Sequence, residues 1–117
     1  MIPYVSVSDV PSVERSEEHG GSGRITFRRL LDAAQFETPV DFVDFTIVPP
    51  GSSIGRHTHR GSEELYFVAS GTPLMRVNGR ERRVSRGTVA VVRNDGWHEL
   101  INDTSENVEI LVIQVRL

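Results

Sequence analysis

The stretch GSSIGRHTHRGSEELYFVASG, residues 51–71, sets two histidines, a turn and a carboxylate ahead of a β-rich run. His57 and His59 are two apart, so on an extended strand both imidazoles point to one face. Arg60, Gly61, Ser62 and Glu63 read as a turn, and Glu64 then opens the run ELYFVAS. A fourth donor, His98, follows Gly96 and Trp97 at the end of a second β-rich run, TVAVVR. Three neutral imidazoles and one carboxylate on converging strands suit a divalent transition metal. Glu63 competes with Glu64 for the carboxylate place. Alternation along the strand favours Glu64 and turns Glu63 outward.

On either side of this stretch the chain keeps a two-residue rhythm. Upstream, RITFRRLL puts Ile25, Phe27 and Arg29 on one face, and VDFVDFTIV is a strong strand closed by Pro49, Pro50 and Gly51. Downstream, LMRVNG, RERRVS, TVAVVR, HELIND and VEILVIQVRL follow at short intervals. Asn78-Gly79 between LMRV and RERRV is a strong hairpin signal and predicts a type I′ turn. DAAQF is too short for a stable helix and reads as a single turn. PYVSV (3–7) reads as a short edge strand, and the polar, glycine-rich SVERSEEHGGSG that follows reads as a loop or a mobile arm with a solvated His19. Many short strands with Gly/Pro turns predict an all-β barrel or sandwich in one domain, residues 1–117.

Composition narrows the chemistry. The chain has no cysteine, so any metal must be held by nitrogen and oxygen. All 13 basic residues are arginine, which excludes lysine chemistry and fits a GC-rich bacterial genome. The net charge of −3 gives no basic footprint for nucleic acid or an acidic membrane surface. The N-terminus lacks the charged start and apolar core of a signal peptide, and no run approaches the roughly 18 apolar residues of a membrane helix. The expectation is a cytoplasmic protein with no membrane or nucleic-acid partner.

The spacing of these residues resembles the cupin superfamily, in particular its small single-domain bacterial members. Gly51, five residues, His57-x-His59, four residues, Glu64, six residues and Gly71 match the first cupin motif. Gly87, His98 and Asn102 fall at the spacing of the second, with 15 residues (72–86) between the motifs. Arg93 stands where that second motif has proline and Asp95 where it has glycine. Gly96 comes next, which suggests a turn shifted by one residue. The Glu64–Gly71 interval again selects Glu64 over Glu63.

The resemblance implies a small jelly-roll barrel with His57, His59, Glu64 and His98 as metal ligands. Fe(II), Mn(II) or Ni(II) suits that set with up to two positions left open, and Zn(II) suits it with fewer ligands. Neutral imidazoles are required, so metal affinity should fall below about pH 6.5. Alternation lines the interior with Tyr66, Val68, one of Phe45 and Asp44, and either Gln114 or its neighbours Ile113 and Val115. Tyr66 and Gln114 are the polar candidates to orient a substrate or move a proton. An inward Arg28 or Arg76 would imply an anionic substrate group. Trp97 is either a pocket lip or core, and Asn102 is expected to fix a turn. The function implied is that of a metal-dependent enzyme on an organic small molecule in bacterial, secondary metabolism. It would work as an Fe(II) oxygenase or as a Lewis-acid isomerase, cyclase or lyase. The alternatives are a ligand-binding or sensory module and a scaffold with a vestigial site. A homodimer is expected, paired through PYVSV and the long apolar C-terminal strand.

Overall fold

Strand alternation and glycine punctuation shape nearly all of the chain. The computed structural model describes residues 3–117. Its strands are β1 (Val13–Ser16), β2 (Arg24–Asp32), β3 (Val40–Val48), β4 (Ser53–Thr58), β5 (Ser62–Ser70), β6 (Leu74–Val77), β7 (Arg80–Arg83), β8 (Val89–Val92), β9 (Trp97–Ile101) and β10 (Val108–Arg116). They form a six-stranded sheet, ordered β1-β2-β3-β10-β5-β8, and a four-stranded sheet, ordered β4-β9-β6-β7. Every pairing is antiparallel, and the two sheets make the jelly roll.

The inner faces meet in one apolar core. Val48, Val68, Val92, Leu100, Val108 and Ile110 are fully buried there, which removes their side chains from water at about 1.5–3 kcal/mol each. The β6–β7 hairpin turns at Asn78 and Gly79, with φ of 51° and 82°, as a type I′ turn requires. DAAQF contributes one 3-10 turn, Ala33–Gln35, capped by the Asp32 carboxylate. Asn102 knots the far end of the barrel. Its amide donates to Val48 O at 2.8 Å and Glu106 O at 2.7 Å, and its carbonyl accepts from the backbone and hydroxyl of Thr104.

Two sequence expectations about edges are corrected. PYVSV forms no strand: the backbone is irregular up to a 3-10 turn at Val7–Asp9, where Ser6 N is taken by the Asp9 carboxylate. The edge strand is instead β1, inside the segment expected to be a loop or a mobile arm. It pairs in register with β2, Val13 opposite Phe27 and Ser16 opposite Arg24. β10 is no edge either, because β3 and β5 flank it along its length. Its near-continuous apolar run reflects that central position.

Candidate metal centre

Cross-strand register places the carboxylate. Glu64, Tyr66 and Val68 alternate on the inner face of β5, and Gln114 of β10 stands directly opposite Glu64. Glu63 lies on the other face, opposite Val115. The histidines come from the other sheet. His57 of β4 pairs directly with His98 of β9. A β-bulge between Ile54 and His57 re-aims β4, so both residues face the interior although they are three apart. His59 lies just past β4. Its N–H donates to Gly96 O at 2.9 Å and its carbonyl accepts from Asp95 N at 2.7 Å. The donors therefore straddle the molecule: His57 and His98 on the four-stranded sheet, His59 on the turn that leaves it, and Glu64 on the six-stranded sheet.

The donor atoms of His57, His59, Glu64 and His98 all lie within 4.8 Å of one another. His98 Nε2 is 2.9 Å from His57 Nε2 and 3.0 Å from His59 Nε2. Glu64 Oε1 is 3.2 Å from His98 Nε2 and 3.3 Å from His59 Nε2. Metal bonds of about 2.0–2.2 Å separate neighbouring donors by about 2.8–3.1 Å at right angles and about 3.3–3.6 Å at tetrahedral ones. The observed spacings fit. The proton count fits too. His57 Nδ1 sits 2.7 Å from the Gly55 carbonyl, which can only accept, so the neutral ring turns the Nε2 lone pair into the cluster.

Electrostatics favour the same charge states. Burial lowers His57 to about 4 against the opposing Gly55 hydrogen bond. Burial also lowers His98, with Glu64 pulling the other way. For Glu64, burial acts upward, but hydrogen bonds from His59 and His98 outweigh it and hold the carboxyl at about 2. In the metal-free site His59 and His98 meet Glu64 through Nε2–H, and a divalent cation would replace those protons while keeping the carboxylate ionised.

A cavity of about 260 Å³ opens on this cluster. Tyr66 and Gln114 both line it, as does Asp44, whereas Phe45 and the neighbours Ile113 and Val115 do not. The Tyr66 ring stacks on that of His98, 4.5 Å between centres with the planes inclined by 30°. Trp97 is outside the cavity, with the Arg56 guanidinium 3.9 Å over its ring. Neither arginine named from sequence turns inward: Arg28 donates to Val10 O, and Arg76 pairs with Glu81 and Glu99. The inward arginine of β2 is Arg29, bound to the buried Asp44. The 93–96 turn keeps its phase. Asp95 itself takes the left-handed conformation at φ 68°, while Gly96 is needed for room, since a Cβ there would meet Asn78 Oδ1 at 2.9 Å.

Sequence reasoning missed one wall. Arg15, Glu18 and His19 all line the cavity, and the His19 ring stacks on His57 at 3.8 Å with 14° between planes. The available signal was the glycine cluster around it. Gly21 packs against β4 so closely that a Cβ would meet Ser53 O at 2.5 Å.

Comparisons with known proteins agree with this architecture. The oxalate-binding protein of Thermotoga maritima is 26% identical over 113 residues, 97% of this chain and 93% of that protein. The tetracenomycin polyketide synthase protein TcmJ of Streptomyces glaucescens is 30% identical over 91 residues, which cover 78% of this chain and 58% of that longer protein. The crystal structure of a predicted oxalate decarboxylase from T. maritima superposes with a TM-score of 0.94 at 25% identity, covering 97% of this chain and 99% of that one. The polyketide cyclase RemF of Streptomyces resistomycificus shares the fold, with a TM-score of 0.79 at 21% identity over 98% of this chain and 80% of its own. Residues 44–114 match the cupin domain family, and that segment holds all four donors. By fold, motif spacing and this match over more than half its length, the chain belongs to the cupin family.

Proposed function

We propose that the chain is a metal-dependent enzyme acting on an organic small molecule in bacterial metabolism, with His57, His59, Glu64 and His98 holding one divalent transition metal. The observation that carries this reading is the meeting of three imidazole nitrogens and one carboxylate oxygen, with His57, His59 and Glu64 lining a ligand-sized cavity and His98 buried behind them. When bound, Fe(II), Mn(II), Ni(II) or Zn(II) would supply either dioxygen activation or Lewis-acid polarisation of a carbonyl group.

Tyr66 and Gln114 are the residues proposed to act on the substrate. Burial, and then the Glu64 carboxylate beside it, push the Tyr66 hydroxyl well above its ordinary value. At neutral pH it keeps its proton and serves as a donor to the substrate, not as a base. Gln114 donates its amide nitrogen to Asp41 at 2.9 Å, which leaves its carbonyl oxygen to orient a substrate hydroxyl. The oligomer is proposed to be a homodimer.

A second reading, a non-catalytic ligand-binding or sensory module, is favoured by the relative named an oxalate-binding protein. Elemental analysis of untagged protein beside His57→Ala separates the readings. One equivalent of iron, lost in the variant, leads to oxygen-uptake assays on candidate substrates. Zinc or another non-redox metal leads to Lewis-acid chemistry. No metal in either protein after reconstitution overturns the metalloenzyme and leaves the binding module.

A further inference from the structure

The ionisable lining of the cavity is unbalanced. Arg15 and Arg29 face Glu18, Asp44 and Glu64, so with neutral imidazoles the two cations leave one negative charge in excess. A divalent cation among the donors turns that into one positive charge, with Arg15 and Arg29, 52% and 48% exposed, at the solvated mouth of the cavity and the donors deeper inside.

The two arginines differ in what they leave free. Arg29 uses two nitrogens on Asp44, Nε at 3.1 Å and Nη2 at 3.2 Å, and is largely satisfied. Arg15 reaches Glu18 through Nη1 alone at 3.4 Å, at the long limit of a hydrogen bond. Its guanidinium carbon lies 4.4 Å from the centre of the Phe27 ring. That contact holds the guanidinium over the ring and leaves its other N–H groups for a ligand.

The segment carrying Arg15 is built into the site. Glu17 and His19 hold left-handed backbone, φ 51° and 52°, which non-glycine residues keep only where their surroundings impose it. Gly21 and Gly55 let the two backbones touch, and Ser22 and Ser53 exchange hydrogen bonds across the seam. Arg15, on β1 just ahead of this seam, stands at the mouth of the cavity.

Space selects further. About 260 Å³ holds about eight or nine waters, more than a two-carbon acid fills, and Ile25, Phe27, Phe42 and Ile54 make part of the wall apolar. Resting on the metal reading above, we infer that the cavity takes a small organic monoanion with an apolar body, of about benzoate size, and that Arg15 is the specificity-determining residue that receives its charged group.

The test is calorimetry with benzoate, benzamide and oxalate on zinc-loaded wild type, Arg15→Gln and Arg15→Lys, with metal content measured on the same samples. Benzoate is expected to bind wild type about tenfold or more tighter than uncharged benzamide, and tighter than oxalate, a dianion that exceeds the charge and underfills the space. Arg15→Gln should weaken benzoate about tenfold or more without changing benzamide, and Arg15→Lys should recover part of the loss. Absent benzoate binding, equal affinity for benzoate and benzamide, tighter oxalate, or an unaffected Arg15→Gln each overturns the inference. Stoichiometric zinc with any of those results leaves the metal reading standing. Failure to retain zinc removes that reading and the charge argument with it.

Discussion

Glu64 brings the only negative charge to the four donors and sits directly across the sheet from Gln114. Glu64→Gln keeps the shape and removes the charge. It should lower metal affinity more than the roughly 10–100-fold that outer partners cost, measured by chelator competition on protein whose circular dichroism is unchanged. The same residues set how stability responds to acid. Unfolded His57 takes up a proton near 6.5 but the folded ring only at about 4, so between these values the unfolded state holds more protons and stability rises with pH. His98 is shifted in the same direction. Glu64, at about 2 against an ordinary 4.5, extends the slope further into acid. Metal-free protein should therefore lose stability steadily from about pH 6.5 downward. Discounted for solvent screening of the half-buried His57, the loss by pH 5 is on the order of 1 kcal/mol. A melting temperature that stays flat from pH 7.5 to 5 would mean that these rings are solvated.

Where strands and turns meet, close backbone contact governs the site. Gly55→Ala would drive a methyl into the His19 carbonyl and Gly21 N, a cost of about 1–3 kcal/mol. The expected result is a lower melting temperature together with faster proteolysis before residue 23; an unchanged digestion pattern would mean that the arm does not depend on this seam. Asn102→Ala strips a fully buried side chain of four hydrogen bonds. It should cost about 2–4 kcal/mol, visible as a shifted urea midpoint, because Val48 O and Glu106 O lose their donor. These elements also mark what the sequence could disclose. The four donors, the Asn-Gly hairpin and the inward row of β5 were legible because motif spacing, alternation and turn chemistry are local, although the strand that carries His57 stops before His59. The arm was not. Its glycines look like those of a flexible linker, and the partner that makes them a tight seam lies 31 residues away, at Ser53. Arg29 was placed on the right face with Ile25 and Phe27, but only the register with Asp44 reveals it as a wall of the cavity.

The assembled molecule leaves apolar surface on the outside of its larger sheet. Phe67, Val89 and Val91 of β5 and β8 are 37%, 58% and 52% exposed, and Phe67 pairs with Val89 on one side and Leu111 on the other. With β10 enclosed, a homodimer would form through this face and not through the terminal strands. Light scattering should give twice the monomer mass for wild type and the monomer mass for Phe67→Glu/Val91→Glu, with the fold intact. A monomeric wild type at micromolar concentration would end the proposal. The division of donors between the sheets has a consequence for how the chain matures. Glu64 rests on a strand whose neighbour, β10, comes after all four donors in chain order, whereas the histidines stand on or just beyond the opposite sheet. A growing chain can possess every donor and still be unable to grip an ion. Metal capture would then be the closing event of folding, a rivet driven only after both plates are aligned, and its removal should loosen the seam between the sheets before it frays either one.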